Sequence, residues 1–267
     1  MLFISKKYSK LSGVKKQYNK SVLEGLNRIQ RSNKILKESD LKQIPPVVAK
    51  YINFTGAVGR PVASHFFMKT SGKIRGNTDE PWMKFISEQY NFTDLYERFF
   101  FIKAIKSGIP AYGLHSLKNG KATMKIKLLG LFSLIDTEGT EMDQSETVTF
   151  FNDMCMLAPC TLTDPNIEWD IIDDYNVMAR FKGPSTISAK LTFHKDGRLI
   201  DFRSEDRYEL IGRKSYRLLP WRTPVSEYGT FHGLTLPKRA EAIYERPDGD
   251  FTYITLSLDD IILNPLL

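Results

Sequence analysis

The stretch that decides the fold is residues 187–209, ISAKLTFHKDGRLIDFRSEDRYE. Apolar and polar side chains alternate along its first eight residues, so one face of this segment is apolar and the other is polar. The alternation stops at Lys195-Asp196-Gly197-Arg198, where Asp-Gly supplies the backbone angles of a tight turn, and a second apolar segment follows. This pattern predicts an antiparallel hairpin with one buried face and one solvated face.

The same pattern recurs along most of the chain after residue 58. Segments rich in aromatic and β-branched residues are separated by turn sequences such as Lys118-Asn119-Gly120-Lys121 and Pro247-Asp248-Gly249-Asp250. A helix is predicted over residues 143–157, where apolar residues have helical spacing and Pro159 follows. We therefore predict a mainly β (α+β) fold, in which one highly curved antiparallel sheet, a half-barrel, wraps over a central helix and N-terminal helices precede it.

The positive charge of the chain is concentrated at its start. The first 37 residues hold ten basic residues and one acid, which leaves 28 of the 38 basic and 30 of the 31 acidic residues for the remainder. Apolar residues in the same segment recur at helical intervals. We predict a basic, amphipathic, helical arm over residues 1–43 and a single half-barrel domain over residues 44–267. The apolar stripe of the arm consists of Val14, Tyr18, Val22, Leu26, Ile29 and Leu36.

This charge distribution also limits the partners of the protein. The body is close to neutral, so no specific nucleic-acid binding is expected. The basic arm is attracted to an anionic membrane surface. The start Met1-Leu2-Phe3-Ile4 followed by Ser5-Lys6-Lys7 has the form of an apolar segment with its basic cytoplasmic flank. We expect a membrane-associated protein at the cytoplasmic face, with a soluble cytoplasmic protein as the alternative.

The sequence carries none of the common signatures of catalysis or cofactor binding. It has no nucleophile elbow, no paired-histidine zinc motif, no phosphate loop and no dinucleotide-binding glycine motif. The two cysteines, Cys155 and Cys160, are too few for a disulfide scaffold and are expected to be buried, unreactive thiols. We therefore predict no catalytic, metal-binding or cofactor-binding residues.

Large apolar side chains occur on both faces of the predicted strands, which is more than a one-sided sheet requires. On the concave face of a curved sheet, such residues either form a core filled by the helix or line a cavity able to hold an acyl chain. If a cavity is present, the residues expected to bind a lipid or other apolar ligand are Trp82, Phe99, Phe101, Phe132, Trp169 and Trp221.

The last third of the chain carries an ordered set of motifs. It runs from Trp221-Arg222-Thr223-Pro224-Val225 through Gly233 and Leu236-Pro237 to Glu241-Ala242. Together with earlier matches, the set resembles an uncharacterised bacterial family, known only as a domain of unknown function, over residues 44–264. Many members carry membrane-spanning segments before this domain, and no catalytic residue is established for them. This chain departs from the family at Tyr228-Gly229, where members usually have Tyr-Arg.

The β-rich pattern is also similar to that of the lipoprotein-carrier (LolA/LolB) superfamily, whose half-barrels hold lipid acyl chains against helices. The resemblance implies a non-enzymatic, membrane-proximal protein that binds a lipid or other apolar ligand on the concave face of its half-barrel.

Two alternatives stay open. One is a hydrolase-like enzyme acting on a small amphipathic substrate, with His115 beside Glu88, Glu241 or Glu227. The other is a structural or interaction protein with a filled sheet, whose arm helix binds a partner.

Overall fold

The computed structural model describes residues 12–30, 34–212 and 215–266. It contains three α-helices, namely α1 (Gly13–Leu26), α2 (Pro46–Thr55) and α3 (Thr140–Leu157), together with 3-10 turns at Glu38–Gln43 and Pro159–Thr161. None of the described helices is both long and apolar enough to cross a membrane.

The described residues form fourteen β-strands, as the alternating segments and turn sequences predicted. The strands before α3 are β1 (His65–Ile74), β2 (Met83–Phe92), β3 (Glu97–Lys106), β4 (Ile109–Lys118), β5 (Lys121–Leu128) and β6 (Phe132–Glu138). The strands after α3 are β7 (Ile167–Ile171), β8 (Asn176–Lys182), β9 (Thr186–Phe193), β10 (Leu199–Ile211), β11 (Ser215–Arg222), β12 (Val225–Phe231), β13 (Leu234–Arg246) and β14 (Gly249–Leu263).

All fourteen strands belong to one antiparallel sheet. Its order is β6-β5-β4-β3-β2-β1-β14-β13-β11-β10-β9-β8-β7, and β12 pairs with β13 outside this path. Where β1 meets β14 the register shifts between Lys69 and Thr70, and a Cβ on Gly72 would overlap the backbone oxygen of Thr255. A bulge and a glycine at a close backbone approach are the features that let a sheet bend sharply.

The inner face of the curved sheet wraps around α3, whose residues are almost all buried. Glu141 and Asp143 occupy the first turn of this helix, where acidic side chains interact favourably with the helix dipole. Phe151 stacks on Phe181 of β8, with 4.9 Å between the ring centroids. The central helix predicted at residues 143–157 is therefore confirmed, although it begins three residues earlier, at Thr140.

The outer face of the sheet is covered by α1 over β3 and β4. The buried residues between them, which we call the outer cluster, are Val14, Tyr18, Val22, Phe92, Phe99, Phe101 and Leu114. Gly25 lets the helix approach closely, since a Cβ there would lie 2.6 Å from the ring of Phe92. Helix α1 ends at Leu26, so the predicted helical stripe is wrong at Ile29 and Leu36. The side chain of Leu36 packs in the main core instead.

The predicted fold class is confirmed, because a single, mostly antiparallel sheet curls around a central helix and N-terminal helices precede it. The predicted boundary between an arm and a domain at residue 43 stays a prediction. Leu36 and Leu41, on the arm side of that boundary, pack in the main core.

Candidate functional site

A group of charged and amide side chains lies buried between α3 and strands β2, β3 and β4. We call it the inner network, and its members are Gln89, Asn91, Arg98, His115, Glu146 and Asp153. Alternation along the strands directs the first four toward α3, because Gln89 pairs with Phe100, Asn91 with Arg98, and Phe100 with His115 across the sheet. Helix α3 supplies the two carboxylates.

Arg98 is at the centre of the inner network. Its Nη1 donates to Glu146 Oε2 at 3.0 Å and its Nε donates to Asp153 Oδ2 at 2.8 Å. Its Nη2 donates to Gln89 Oε1 at 2.9 Å. His115 Nδ1 lies 2.9 Å from Glu146 Oε1. One guanidinium thus bridges two carboxylates, and the side-chain amides of Gln89 and Asn91 also donate to Asp153 Oδ2, at 2.7 and 3.1 Å.

The charge state of Glu146 follows from this arrangement. Burial alone would raise the pKa of its carboxyl group, but the facing His115 and Arg98 lower the pKa well below its ordinary range. Glu146 therefore stays ionised although its side chain is 1% exposed. This paired, buried carboxylate links α3 to the sheet. Because its pKa is low, Glu146 binds a proton too weakly to act as a general acid.

The enzyme alternative named three acids beside His115, and the structure places all three elsewhere. Glu88 is paired with Lys15 at 2.7 Å on the outer face. Glu227 is paired with Lys238 and Arg239, and Glu241 lines a groove described below. The acid next to His115 is Glu146. Among the described residues, no group of His, Cys, Asp and Glu is arranged to hold a metal ion.

Both cysteines are buried free thiols, as predicted. Burial raises the pKa of the Cys155 thiol well above its ordinary value and raises the pKa of Cys160 to about 11. A buried thiol with a raised pKa is a poor nucleophile.

The outer face carries an open depression of about 900 Å³, which we call the outer groove. It crosses strands β3, β2, β1, β14 and β13 beyond the part of the sheet that α1 covers. Cross-strand pairing of Ser71 with Ser257 and of Lys73 with Thr255 places these side chains on the same face. The lining residues are Ser71, Gly72, Lys73, Lys84, Phe85, Ile86, Lys103, Ile105, Ser226, Arg239, Ala240, Glu241, Thr255, Leu256 and Ser257.

The outer groove is basic and apolar together. It is lined by four cationic residues and one acid, Glu241. Among the described residues, Lys73, Lys84 and Lys103 have no carboxylate at ion-pair distance, whereas Arg239 is paired with Glu227 at 3.1 Å. Between the lysines, large apolar side chains are exposed to solvent, with Ile86 61% and Ile105 42% exposed. This combination suits a ligand with an anionic group and an apolar part.

A second depression of about 530 Å³ lies near the end of β14. Arg60 reaches into this region, but its guanidinium already donates to the carbonyl oxygens of His232 and Gly233, at 3.0 and 2.9 Å. We regard the outer groove as the stronger candidate because three of its four cations have no carboxylate at ion-pair distance in the part of the chain that the structure describes.

The structure does not bring the six predicted ligand residues together. Phe99 and Phe101 lie in the outer cluster beneath α1, whereas Trp221 is buried in the main core, where its Nε1 donates to the Tyr253 hydroxyl at 3.2 Å. The others are Trp169, which packs at the edge of the main core, and Trp82 and Phe132, which are 37% and 63% exposed.

The sequence did not lead us to predict the residues of the outer groove, although it contains a pattern that indicates them. In β2 and β3 the sequences Lys84-Phe85-Ile86 and Lys103-Ala104-Ile105 place an isoleucine two residues after a lysine. Since side chains two residues apart in a strand share a face, each isoleucine lies on the polar side of its strand. Two such isoleucines on one face of neighbouring strands form an exposed apolar patch, which is typical of a binding surface.

Comparison with known proteins identifies the family of the chain. A family of unknown function (DUF6544) matches residues 34–256, which is well over half of the sequence. The protein belongs to this family, as its ordered motifs predicted. Helix α1 lies outside the matched residues. No curated protein matches the chain.

Three solved structures are similar to this chain at low sequence identity. A DUF1329 family protein from Desulfovibrio piger is 10% identical, with a TM-score of 0.47 over 88% of this chain and 95% of that one. A LolA superfamily protein from Nitrosomonas europaea is 11% identical, with a TM-score of 0.43 over 83% and 93%. A putative outer membrane lipoprotein-sorting protein domain from Vibrio parahaemolyticus is 9% identical, with a TM-score of 0.45 over 76% and 87%.

Proposed function

We propose that this protein is a non-enzymatic binding protein for a lipid or other apolar ligand that carries an anionic group, and that the outer groove holds this ligand. The observation that carries the proposal is a depression of about 900 Å³ lined by three lysines and two exposed isoleucines. None of the three lysines has a carboxylate at ion-pair distance among the residues that the structure describes. Ligand sites in proteins commonly enclose about 300–1,000 Å³ and combine an apolar wall with a few placed polar groups.

The chemistry of the groove favours an amphipathic ligand over a purely polar one. Ile86 and Ile105 offer apolar surface that gains free energy when it is removed from water. The ammonium groups of Lys73, Lys84 and Lys103 can meet a phosphate or carboxylate without first breaking an ion pair. The hydroxyl groups of Thr255 and Ser257 add hydrogen-bond donors along the same wall, whereas Ser71 Oγ already donates to Asp259 Oδ1 at 2.8 Å.

The sequence predicts that the ligand lies on the concave face, against six aromatic residues. In the structure, the inner face packs against α3, which is buried along almost its whole length. We therefore propose the outer groove as the binding surface. A ligand held by Trp82, Phe99, Phe101, Phe132, Trp169 and Trp221 stays a prediction.

We also propose that the protein is associated with an anionic membrane surface, with its basic N-terminal arm contributing to the attraction. Part of the charge of this arm is already engaged by the body. Lys15 is paired with Glu88 at 2.7 Å, and Arg28 forms a bidentate ion pair with the buried Glu97. Helix α1 is therefore held against the sheet, and the attraction depends on the other cations of the arm.

Native mass spectrometry after purification without detergent tests for a ligand directly, since we expect a discrete co-purifying lipid mass. Binding is then measured with two probes that share one acyl chain, oleoyl lysophosphatidic acid and monoolein, below their critical micelle concentrations. We expect the charged probe to bind at least about tenfold more tightly, because two or three lysines near one phosphate each contribute on the order of 1 kcal/mol.

Two double variants separate the charged and apolar walls of the groove. The double variant Lys84→Glu with Lys103→Glu should bind lysophosphatidic acid at least about tenfold more weakly and should bind monoolein with nearly unchanged affinity. The double variant Ile86→Ser with Ile105→Ser should bind both probes more weakly. Lys42→Glu, on an exposed lysine in the 3-10 turn, is the matched control. Equal affinity for both probes, or an equal loss in the control, would contradict the proposed site.

A further inference from the structure

We propose that the hairpin turns at one end of the strands dock on the surface of an anionic phospholipid bilayer. This inference rests on the membrane association proposed above and names the surface responsible for it. In an antiparallel sheet, every second turn between consecutive strands lies at the same end of the strands. Strands β1 to β6 are consecutive neighbours. The turns at 75–82, 107–108 and 129–131 therefore lie at the same end of these strands. We call these three turns, together with the strand residues beside them, the hairpin edge.

The hairpin edge exposes more large apolar side chains than a solvated turn region requires. Leu131 is 75% exposed and Phe132 is 63% exposed, which makes the turn between β5 and β6 the most apolar point of the edge. Contiguous exposed apolar residues at projecting turns are typical of surfaces that enter another phase or bind a partner. The six exposed apolar residues of the edge are Trp82, Ile105, Ile109, Leu129, Leu131 and Phe132.

The turn between β5 and β6 is fixed in an outward position. Leu129 has a φ angle of +54°, a left-handed conformation that leucine seldom adopts and that asparagine or glycine would normally supply. Its backbone N–H donates to the carbonyl oxygen of Pro110 at 2.9 Å, and the N–H of Leu131 donates to that of Leu128 at 3.0 Å. The apolar tip is thus held by one hydrogen bond to the neighbouring strand β4 and by one within the turn itself.

Lysines lie on or beside the same end of these strands. Two acids, Asp79 and Glu80, lie on the same edge, and Glu80 is paired with Lys106 at 3.3 Å. The lysines outnumber them, so the edge carries net positive charge. Long lysine side chains can reach lipid phosphates while neighbouring apolar residues enter the boundary of the acyl region. The lysines on or beside the edge are Lys73, Lys84, Lys103, Lys106 and Lys127.

The start of α1 lies at the same edge. A Cβ placed on Gly130 would lie 3.2 Å from the Cβ of Ser12, so the described chain begins against the turn between β5 and β6.

The charge of the edge favours a bilayer over a second copy of this chain. A symmetric contact between two copies would place the same positively charged surfaces against each other. An anionic bilayer offers opposite charge to the lysines and an apolar interior to Leu131 and Phe132.

Sedimentation with vesicles tests this proposal on the full-length protein. We expect binding to vesicles of phosphatidylcholine and phosphatidylglycerol in a 3:1 ratio, and weaker binding to phosphatidylcholine alone or in 0.5 M NaCl. Leu131→Ser with Phe132→Ser should lower the partition coefficient at least about tenfold, because two apolar side chains then no longer leave water. Both residues are exposed, so the unfolding temperature should stay within about 2 °C of the wild type.

The matched control is Ile171→Ser with Ile172→Ser, since these residues are 64% and 50% exposed at the end of β7, away from the hairpin edge. The control should bind vesicles as the wild type does. Equal loss in both double variants, or a hairpin-edge variant that binds undiminished, would overturn the proposal. The proposal would also be overturned if the wild type were a dimer, and if the hairpin-edge variant were a monomer that still bound vesicles. If vesicle binding fails while the lysophosphatidic acid probe still binds, only the docking proposal is lost.

Discussion

Removing Arg98 should destabilise the protein strongly, because it leaves two buried carboxylates without their shared cation. The side chains of Arg98, Glu146 and Asp153 are 7%, 1% and 8% exposed. Breaking a buried ion pair by removing one partner costs about 3–5 kcal/mol, since the remaining charge is uncompensated. For a chain of 267 residues, an unfolding entropy of about 2.1 cal/mol/K per residue converts this cost into a fall of roughly 5–9 °C in Tm.

The pH dependence of this loss identifies its cause. In the wild type, the lowered pKa of Glu146 contributes stability that is present above the unfolded-state pKa and is lost as pH falls through the folded-state value. Without Arg98, one of the groups that lower the pKa of Glu146 is lost, and the folded-state pKa of this buried carboxyl group rises. The destabilisation is then largest near neutral pH and becomes smaller as Glu146 takes up a proton in acid.

Thermal unfolding, which gives Tm, and urea unfolding, which gives the free energy of unfolding, are measured for Arg98→Met at pH 7 and pH 4.5. The control is Arg198→Met, because Arg198 pairs with Asp196 on the surface and its loss should change Tm little. Adding Glu146→Gln and Asp153→Asn to Arg98→Met should restore part of the stability. An unchanged Tm in Arg98→Met, or a loss that is the same at both pH values, would refute the reasoning.

Three further changes test other parts of the structure. Burial raises the pKa of Asp201 to about 6 and leaves its Oδ1 without a partner. Its proton binding therefore adds stability that is complete below the unfolded-state pKa and lost as pH rises toward 6. Asp201→Asn should then raise stability at pH 7 by about 1–2 kcal/mol, measured by urea unfolding, and a lower stability would contradict this account. Gly72→Ala should lower Tm markedly because its Cβ would overlap the backbone of Thr255. Gly13→Ala, where a Cβ meets nothing within 4 Å, is its control in differential scanning fluorimetry. Deleting residues 1–30 should leave a folded domain that exposes the outer cluster and binds the apolar dye ANS, and an unfolded product would show that α1 is part of the domain.

Much of the fold could be predicted because it depends on local patterns. The alternation in Ile187–His194 and the Asn-Gly and Asp-Gly turns predicted strands and hairpins, since side-chain direction and positive φ angles are properties of a few neighbouring residues. The spacing of apolar residues predicted α3 for the same reason. The end of α1 was not predictable from its apolar stripe, because Leu36 is apolar for packing in the main core and not for helix periodicity.

The candidate site was harder to predict. Phe99 and Phe101 are as apolar as core residues of the inner face, and sequence alone does not say that α1 covers them from outside. Lys73, Lys84 and Lys103 belong to three strands, and only the pairing of β1, β2 and β3 brings them to one groove.

The sequence by itself determined the antiparallel hairpins, the central helix, the basic arm and the buried thiols, because each follows from the order of neighbouring residues or from composition. The tertiary structure alone decided which face of the sheet each helix covers. It also decided which acid faces His115, and which lysines of the outer groove have no carboxylate nearby within the described ranges of the chain. These features depend on contacts between residues far apart in the chain, and such contacts are set by sheet curvature and strand order.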